Sequence, residues 1–162
     1  MLRALDEGLL RVLRTRGHTP RAEQALLALA RAGEHGIAWH AVAAAGLLVD
    51  RHDAPVYRRA LATVLAAMVA NTAVKYLIGR PRPALDGLPP LAPTISSRSY
   101  PSAHATTSFA GARVLSEALP AAPLYALAGA MALSRPYLGV HYPSDVAAGA
   151  LLGDALGRLG AP

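Results

Sequence analysis

Leucines recur at helical spacing near the start of the chain: Leu2, Leu5, Leu9 and Leu13 form one stripe, and Leu26 and Leu29 begin another. Arg3, Arg11, Arg14, Arg21 and Arg31 take the opposite faces, a pattern that predicts two amphipathic helices, about Leu2–Thr15 and Pro20–Gly33, lying at an interface. Beyond them the apolar periodicity is helical throughout, and no run of alternating β-branched residues suggests a strand. Five further spanning or buried helices are expected at Ile37–Val49, Ala60–Gly79, His104–Leu119, Pro123–Leu133 and Pro143–Leu159, some short enough to need a thin or tilted arrangement. Gly79 and the following Arg80-Pro81-Arg82-Pro83 stop the second of these. Pro83–Ser99 is then the one long loop, a candidate lid or entrance. The expected fold is all-α: an integral membrane helical bundle of about five to six helices with amphipathic N-terminal helices. A single domain is expected over residues 1–162, with N-terminal helices in 1–34 and a helical core in 35–160.

Composition strengthens the membrane reading. Of the 162 residues, 53% are hydrophobic and only 16% charged, against about 25% charged in an average soluble domain. Mean hydropathy is +0.30. The longest charge-free stretches, Ala60 to Val74 and Ala118 to Ser134, fall just short of the roughly 18 residues that would name a spanning helix outright. No secretory leader is visible, since Asp6, Glu7 and several arginines interrupt the start. The absence of cysteine excludes disulfide scaffolds and thiolate metal sites. A net charge of +6 could suggest nucleic acid, but the arginines are scattered among apolar helices, so anionic lipid or a phosphate substrate fits better.

Three polar clusters stand out at helix ends: Lys75 with Arg82-Pro83, Pro101-Ser102-Ala103-His104, and Ser134-Arg135 with His141 and Asp145. About 30 residues separate His104 from Ser134, enough for two helices of about 20 Å out and back, so the clusters can meet on one side. Pro101 and Pro143 suit the first helical position, where free amides point outward. Lys75, Arg82, Arg135 and those amides would hold phosphate oxygens. One histidine could then attack phosphorus while the other protonates the leaving oxygen. Asp145, bonded to one ring nitrogen of His141, would leave the other nitrogen free. Nothing resembles a carboxylate-rich Mg²⁺ cage, so phosphoryl transfer without metal or cofactor is expected.

These residues resemble the three-part signature of the type 2 phosphatidic acid phosphatase superfamily, K-x6-R-P, P-S-G-H and S-R-x5-H-x3-D, over the 70 or so residues from Lys75 to Asp145. The resemblance implies His141 as nucleophile forming a phosphohistidine, Asp145 as its orienter and His104 as acid. It implies Lys75, Arg82, Ser102, the amide of Ala103 and Arg135 as phosphate binders. Ala103 stands where the family usually has Gly, which keeps the N–H but brings a methyl group near the oxyanion. The short chain and basic N-terminus are similar to small actinobacterial decaprenylphosphoryl-5-phosphoribose phosphatases of arabinan cell-wall precursor synthesis. Undecaprenyl diphosphate or phosphatidylglycerophosphate are the alternative substrates, and a noncatalytic anionic-lipid-binding protein is the alternative of another class. The expected partners are a polyprenyl or glycerolipid phosphate and membrane lipids, with a homo-oligomer left open. The expected location is the cell membrane, with the arginine distribution favouring a cytoplasmic active site.

Outside the signature, Arg113 and Glu117 are expected to form an intrahelical ion pair, and Gly149 and Gly153 to be helix-packing positions. Arg80 would join the phosphate cluster or contact a lipid headgroup, and Asn71 would support Lys75 or a helix contact. Tyr100 and Tyr137 would line the pocket or anchor at the interface, and His18 and His52 are expected on the surface.

Overall fold

The computed structural model describes residues 2–160. Among these, seven α-helices follow one another: α1 Leu2–Thr15, α2 Pro20–Ala32, α3 Ile37–Val49, α4 Ala54–Ile78, α5 Ala103–Leu115, α6 Ala121–Tyr137 and α7 Pro143–Leu159, with a 3₁₀ turn at Glu34–Gly36. The all-α expectation holds, and α1, α3 and α7 begin and end where the periodicity placed them.

The other boundaries differ for identifiable reasons. Helix α4 begins at Ala54, six residues before Ala60, because Pro55 occupies its first turn and Arg59 is neutralised by Glu117. Helix α5 stops at Leu115 instead of Leu119; the amides of Glu117 and Ala118 tighten onto Val114 and Leu115. Helix α6 continues to Tyr137 with Pro136 inside it. A proline so near the end removes one late hydrogen bond, and the amides of Leu138 and Gly139 close the turn onto Ser134 and Pro136.

Helix α5 is the axis of the bundle. Nine of its 13 residues are buried, against α7, α4 and α6. Its polar side chains are answered inside: Trp39 Nε1 donates to Ser108 Oγ at 3.0 Å, and Asn71 Nδ2 to Thr106 Oγ1 at 2.9 Å. The expected packing role of Gly149 and Gly153 is observed. A Cβ at Gly153 would lie 2.2 Å from the Thr106 carbonyl oxygen, and one at Gly149 2.6 Å from that of Ser102. Close approach of α7 to α5 therefore requires bare backbone at these two positions.

The outer surface is strongly apolar. Leu48, Val49, Leu65, Val69, Leu77, Leu133, Leu151 and Leu159 all point outward and exposed. Water would make so large an apolar surface costly; hydrocarbon does not. Of the five elements expected to span or be buried, one, α4, is long and apolar enough to cross a membrane, with 25 residues and mean hydropathy 1.6 over its best window. Helices α6 and α7, at 17 residues each, extend about 26 Å against a hydrocarbon core of about 30 Å, and α5 is an interior helix.

Candidate active site

Helix α4 ends on Gly79, whose φ of +66° is the left-handed geometry that glycine adopts without strain, with its N–H on the Lys75 carbonyl at 3.1 Å. The chain then doubles back, so Lys75 from the last turn and Arg82 from the loop reach the same space. Ala103 and His104 open α5, Arg135 lies in the last turn of α6, and His141 precedes α7. These six residues line one cavity of about 260 Å³. Convergence of the three polar clusters is thus observed. The Pro83–Ser99 loop supplies part of the wall through Pro93, Thr94, Ile95 and Ser96.

The cations are fixed by carbonyls. Arg82 Nε donates to Ser96 O at 2.7 Å, and Nη1 to Val140 O at 2.6 Å. Lys75 Nζ donates to Pro101 O at 3.0 Å and Arg98 O at 3.3 Å. Arg82 Nη1 also stands 3.2 Å from His141 Nε2. A guanidinium only donates, so Nε2 must accept, and the imidazole proton lies on Nδ1. That nitrogen is 3.6 Å from Asp145 Oδ2, beyond a hydrogen bond but within ion-pair reach. Burial lowers the His141 pKa to about 3; the charges of Arg82 and Arg135 act in the same direction and Asp145 against it. Burial also holds Arg82 below its ordinary value.

Ser102 and Asp145 are fully buried, behind this wall. The Ser102 amide donates to the Asp145 carbonyl at 2.9 Å, which joins the start of α5 to the first turn of α7. Ser102 Oγ, Arg135 Nε and His141 Nδ1 are buried without hydrogen-bond partners. Of these, Arg135 belongs to the cavity wall, where an unpartnered donor suits a site that receives a polar ligand, whereas His141 Nδ1 faces Asp145. His104 Nε2 donates to the Ala30 carbonyl of α2 at 2.8 Å, and its Cδ2 packs against Gly33.

Several side chains take places that local pattern did not indicate. Arg80 turns away from the phosphate cluster, pairing with Asp145 and with Asp6 of α1. Asn71 makes the helix contact to Thr106 and Pro101 rather than supporting Lys75. Ser134 is buried and bonded to Met131 O, away from the cavity. Tyr137 stacks on His18 at 3.9 Å and reaches Gly17 O, so it does not line the pocket, and His18 is half-buried instead of on the surface. Glu117 pairs across helices with Arg59, not with Arg113, because it lies beyond the end of α5. Glu34 and His35 of the 3₁₀ turn enter the cavity wall; nothing local distinguishes them, although His35 has φ +51°.

A helical bundle enclosing a cation-lined cavity with three histidines suits phosphoryl transfer, and the chain belongs to the PAP2 superfamily, whose family model matches residues 57–161. It is a phosphomonoesterase of that class, which sets aside the noncatalytic alternative. Among its relatives, the decaprenylphosphoryl-5-phosphoribose phosphatase of Mycolicibacterium smegmatis is 42% identical over 128 residues, 75% of this chain and 68% of that protein. The protein of the same name from Mycobacterium tuberculosis is 37% identical over 131 residues, 81% of this chain and 74% of the relative. The crystal structure of Aquifex aeolicus LpxE matches with TM-score 0.81 and 26% identity, covering 94% of this chain and 92% of that one. A transmembrane PAP2-type phosphatidylglycerolphosphate phosphatase from Bacillus subtilis matches with TM-score 0.77 and 25% identity over 98% of this chain and 84% of that one.

Proposed function

We propose that this multi-pass membrane phosphatase removes the phosphomonoester of decaprenylphosphoryl-5-phosphoribose through a phosphohistidine at His141. The observation that carries the mechanism is the Arg82 Nη1 contact to His141 Nε2 at 3.2 Å, which marks Nε2 as the nitrogen with a lone pair facing the cations. His141 Nε2 attacks phosphorus, the bond to the ribose oxygen breaks, and protonated His104, whose Nε2 stays on the Ala30 carbonyl, supplies the proton to that oxygen from Nδ1. Water then attacks the phosphohistidine with His104 as base, releasing inorganic phosphate and free His141. Lys75, Arg82, Arg135 and the Ala103 amide hold the nonbridging oxygens through the trigonal-bipyramidal transition state, and Ser102 Oγ joins them only if the phosphate opens the wall behind which it is buried. Asp145 keeps the His141 proton on Nδ1.

The choice of lipid is supported by the names of the relatives at 42% and 37% identity. Glu34 and His35 on the cavity wall fit it as well: a carboxylate repels phosphate but accepts hydrogen bonds from sugar hydroxyls. The test is phosphate release by purified protein in EDTA from decaprenylphosphoryl-5-phosphoribose, undecaprenyl diphosphate, phosphatidylglycerophosphate and phosphatidic acid, beside His141→Ala. Preferential release from the first, lost in the variant, is expected. Preference for another lipid refutes the substrate, and activity surviving in His141→Ala refutes the mechanism.

A further inference from the structure

Asp145 has both carboxylate oxygens engaged. Oδ2 accepts the Tyr142 amide at 2.9 Å and faces His141, while Oδ1 accepts Arg80 Nη1 at 2.9 Å. The Arg80 guanidinium is itself held on its other edge by Asp6 Oδ2 at 2.7 Å, and it stacks 3.9 Å over the Tyr142 ring. Asp6 is buried among these groups and also accepts from the amide and hydroxyl of Ser144. Burial pushes the Asp6 carboxyl up, but the hydrogen bonds from Ser144 and Arg80 outweigh it and keep the group below its ordinary range, hence ionised. The result is an alternating chain of charge, Asp6, Arg80, Asp145, running from α1 to the Nδ1 side of the neutral His141 ring.

We propose that Asp6 and Arg80 are a positioning pair that holds Asp145, and through it His141, in the orientation for attack. The inference rests on the reading of His141 as nucleophile and Asp145 as its orienter. Arg80 does not line the phosphate cavity, so it acts on the dyad and not on the substrate. It occupies Oδ1, leaving Oδ2 as the oxygen that His141 Nδ1 meets, and blocks rotation of the carboxylate. Asp6 fixes the guanidinium plane that does so. Since Asp6 precedes the family-matched residues 57–161, the amphipathic α1 contributes to catalysis a carboxylate that the three-part signature lacks.

The pair also sets the charge His141 experiences. Arg82 from the loop, Arg135 from α6 and Asp145 from α7 face its ring, with Lys75 of α4, His104 of α5, and Glu34 and His35 of the 3₁₀ turn around the same cavity. Removing Arg80 leaves the Asp145 charge uncompensated on one side, so the imidazolium gains stability.

The full-length protein carrying Arg80→Gln, Asp6→Asn or Asp6→Glu is assayed for phosphate release from whichever lipid the wild type hydrolyses. For Arg80→Gln, kcat is expected to fall about 10- to 100-fold with KM within about twofold, and the acid limb of kcat/KM to move up by roughly half a pH unit or more. Asp6→Asn is expected to show the same changes in smaller measure, with Asp6→Glu restoring part of kcat. A rise in KM at unchanged kcat would mean that Arg80 binds phosphate and overturns the proposal. A lower melting temperature with kcat and the pH profile unchanged would make the pair merely structural and also overturns it. If Arg80→Gln does not fold, the Asp6 variants decide by the same criteria. Loss of the underlying reading shows separately, as activity retained in His141→Ala.

Discussion

Replacing Gly153 by Ala tests whether the seam between α5 and α7 sets the catalytic geometry. The added methyl would sit 2.2 Å from Thr106 O, and 3.0 Å from both Thr106 C and Ala110 N. All three are backbone atoms inside the most buried helix, so no side chain can swing aside. A tolerable Cβ contact begins near 3.0 Å, so α7 must retreat by about 0.8 Å or more, an overpacking that costs about 1–3 kcal/mol. The shift falls on the joint between the two halves of the site: Ser102 caps α5 and His104 lies in its first turn, while His141 immediately precedes α7 and Asp145 lies in its first turn. Misplacement of about 1 Å costs roughly 100-fold in rate. Gly153→Ala is therefore expected to lower both melting temperature and kcat, read by detergent thermal-shift and phosphate-release assays. The companion is Gly129→Ala on α6, where nothing lies within 4 Å of the added carbon; it should stabilise by about 0.5–1 kcal/mol. Wild-type kcat in folded Gly153→Ala would refute the argument that this contact positions the site.

Arg82→Lys keeps the charge but cannot span Ser96 O, Val140 O and His141 Nε2 together; kcat/KM should fall about 100- to 1000-fold at nearly unchanged melting temperature. Because His141 is lowered to about 3 from an ordinary value near 6.5, the unfolded chain binds more protons between those values. Its contribution to stability is thus complete above about 6.5 and is lost as pH falls toward 3, by on the order of a few kcal/mol. Denaturation midpoints against pH should show this slope, and His141→Asn should reduce it. Glu34→Gln should cut kcat/KM about tenfold on the ribosyl lipid while leaving phosphatidic acid within about twofold; equal losses on both would remove the sugar-recognition role.

Much of the site was legible in sequence because its residues lie in short, ordered motifs whose internal spacing survives folding. Lys75, Arg82, Ala103, His104, Arg135 and His141 could be named from helix ends and turn residues, and all six line one cavity. Helix existence was equally legible, since apolar periodicity reports which face each segment buries. The ends of α4 and α6 were less so, because a proline near a helix terminus reads as a stop although it costs only a hydrogen bond or two there; α5 was read too long because its helical pattern continues past Leu115, where the chain tightens.

What the chain determined by itself was local: helix periods, the breaks at Gly79 and the prolines, and the chemistry of three motifs. Only the tertiary structure decided what those residues face. Only Pro81 separates Arg80 from Arg82, yet the turn after Gly79 aims one at Asp6 and Asp145 and the other at His141. Asp6, an ordinary acid on an amphipathic helix, reaches the start of α7 from 138 residues away to bond Ser144. Glu117 finds Arg59 of another helix in place of its own neighbour four residues back. Periodicity and spacing record forces along one segment, whereas ion pairs and cavity walls arise between segments, where packing of α5 against α4, α6 and α7 sets the distances.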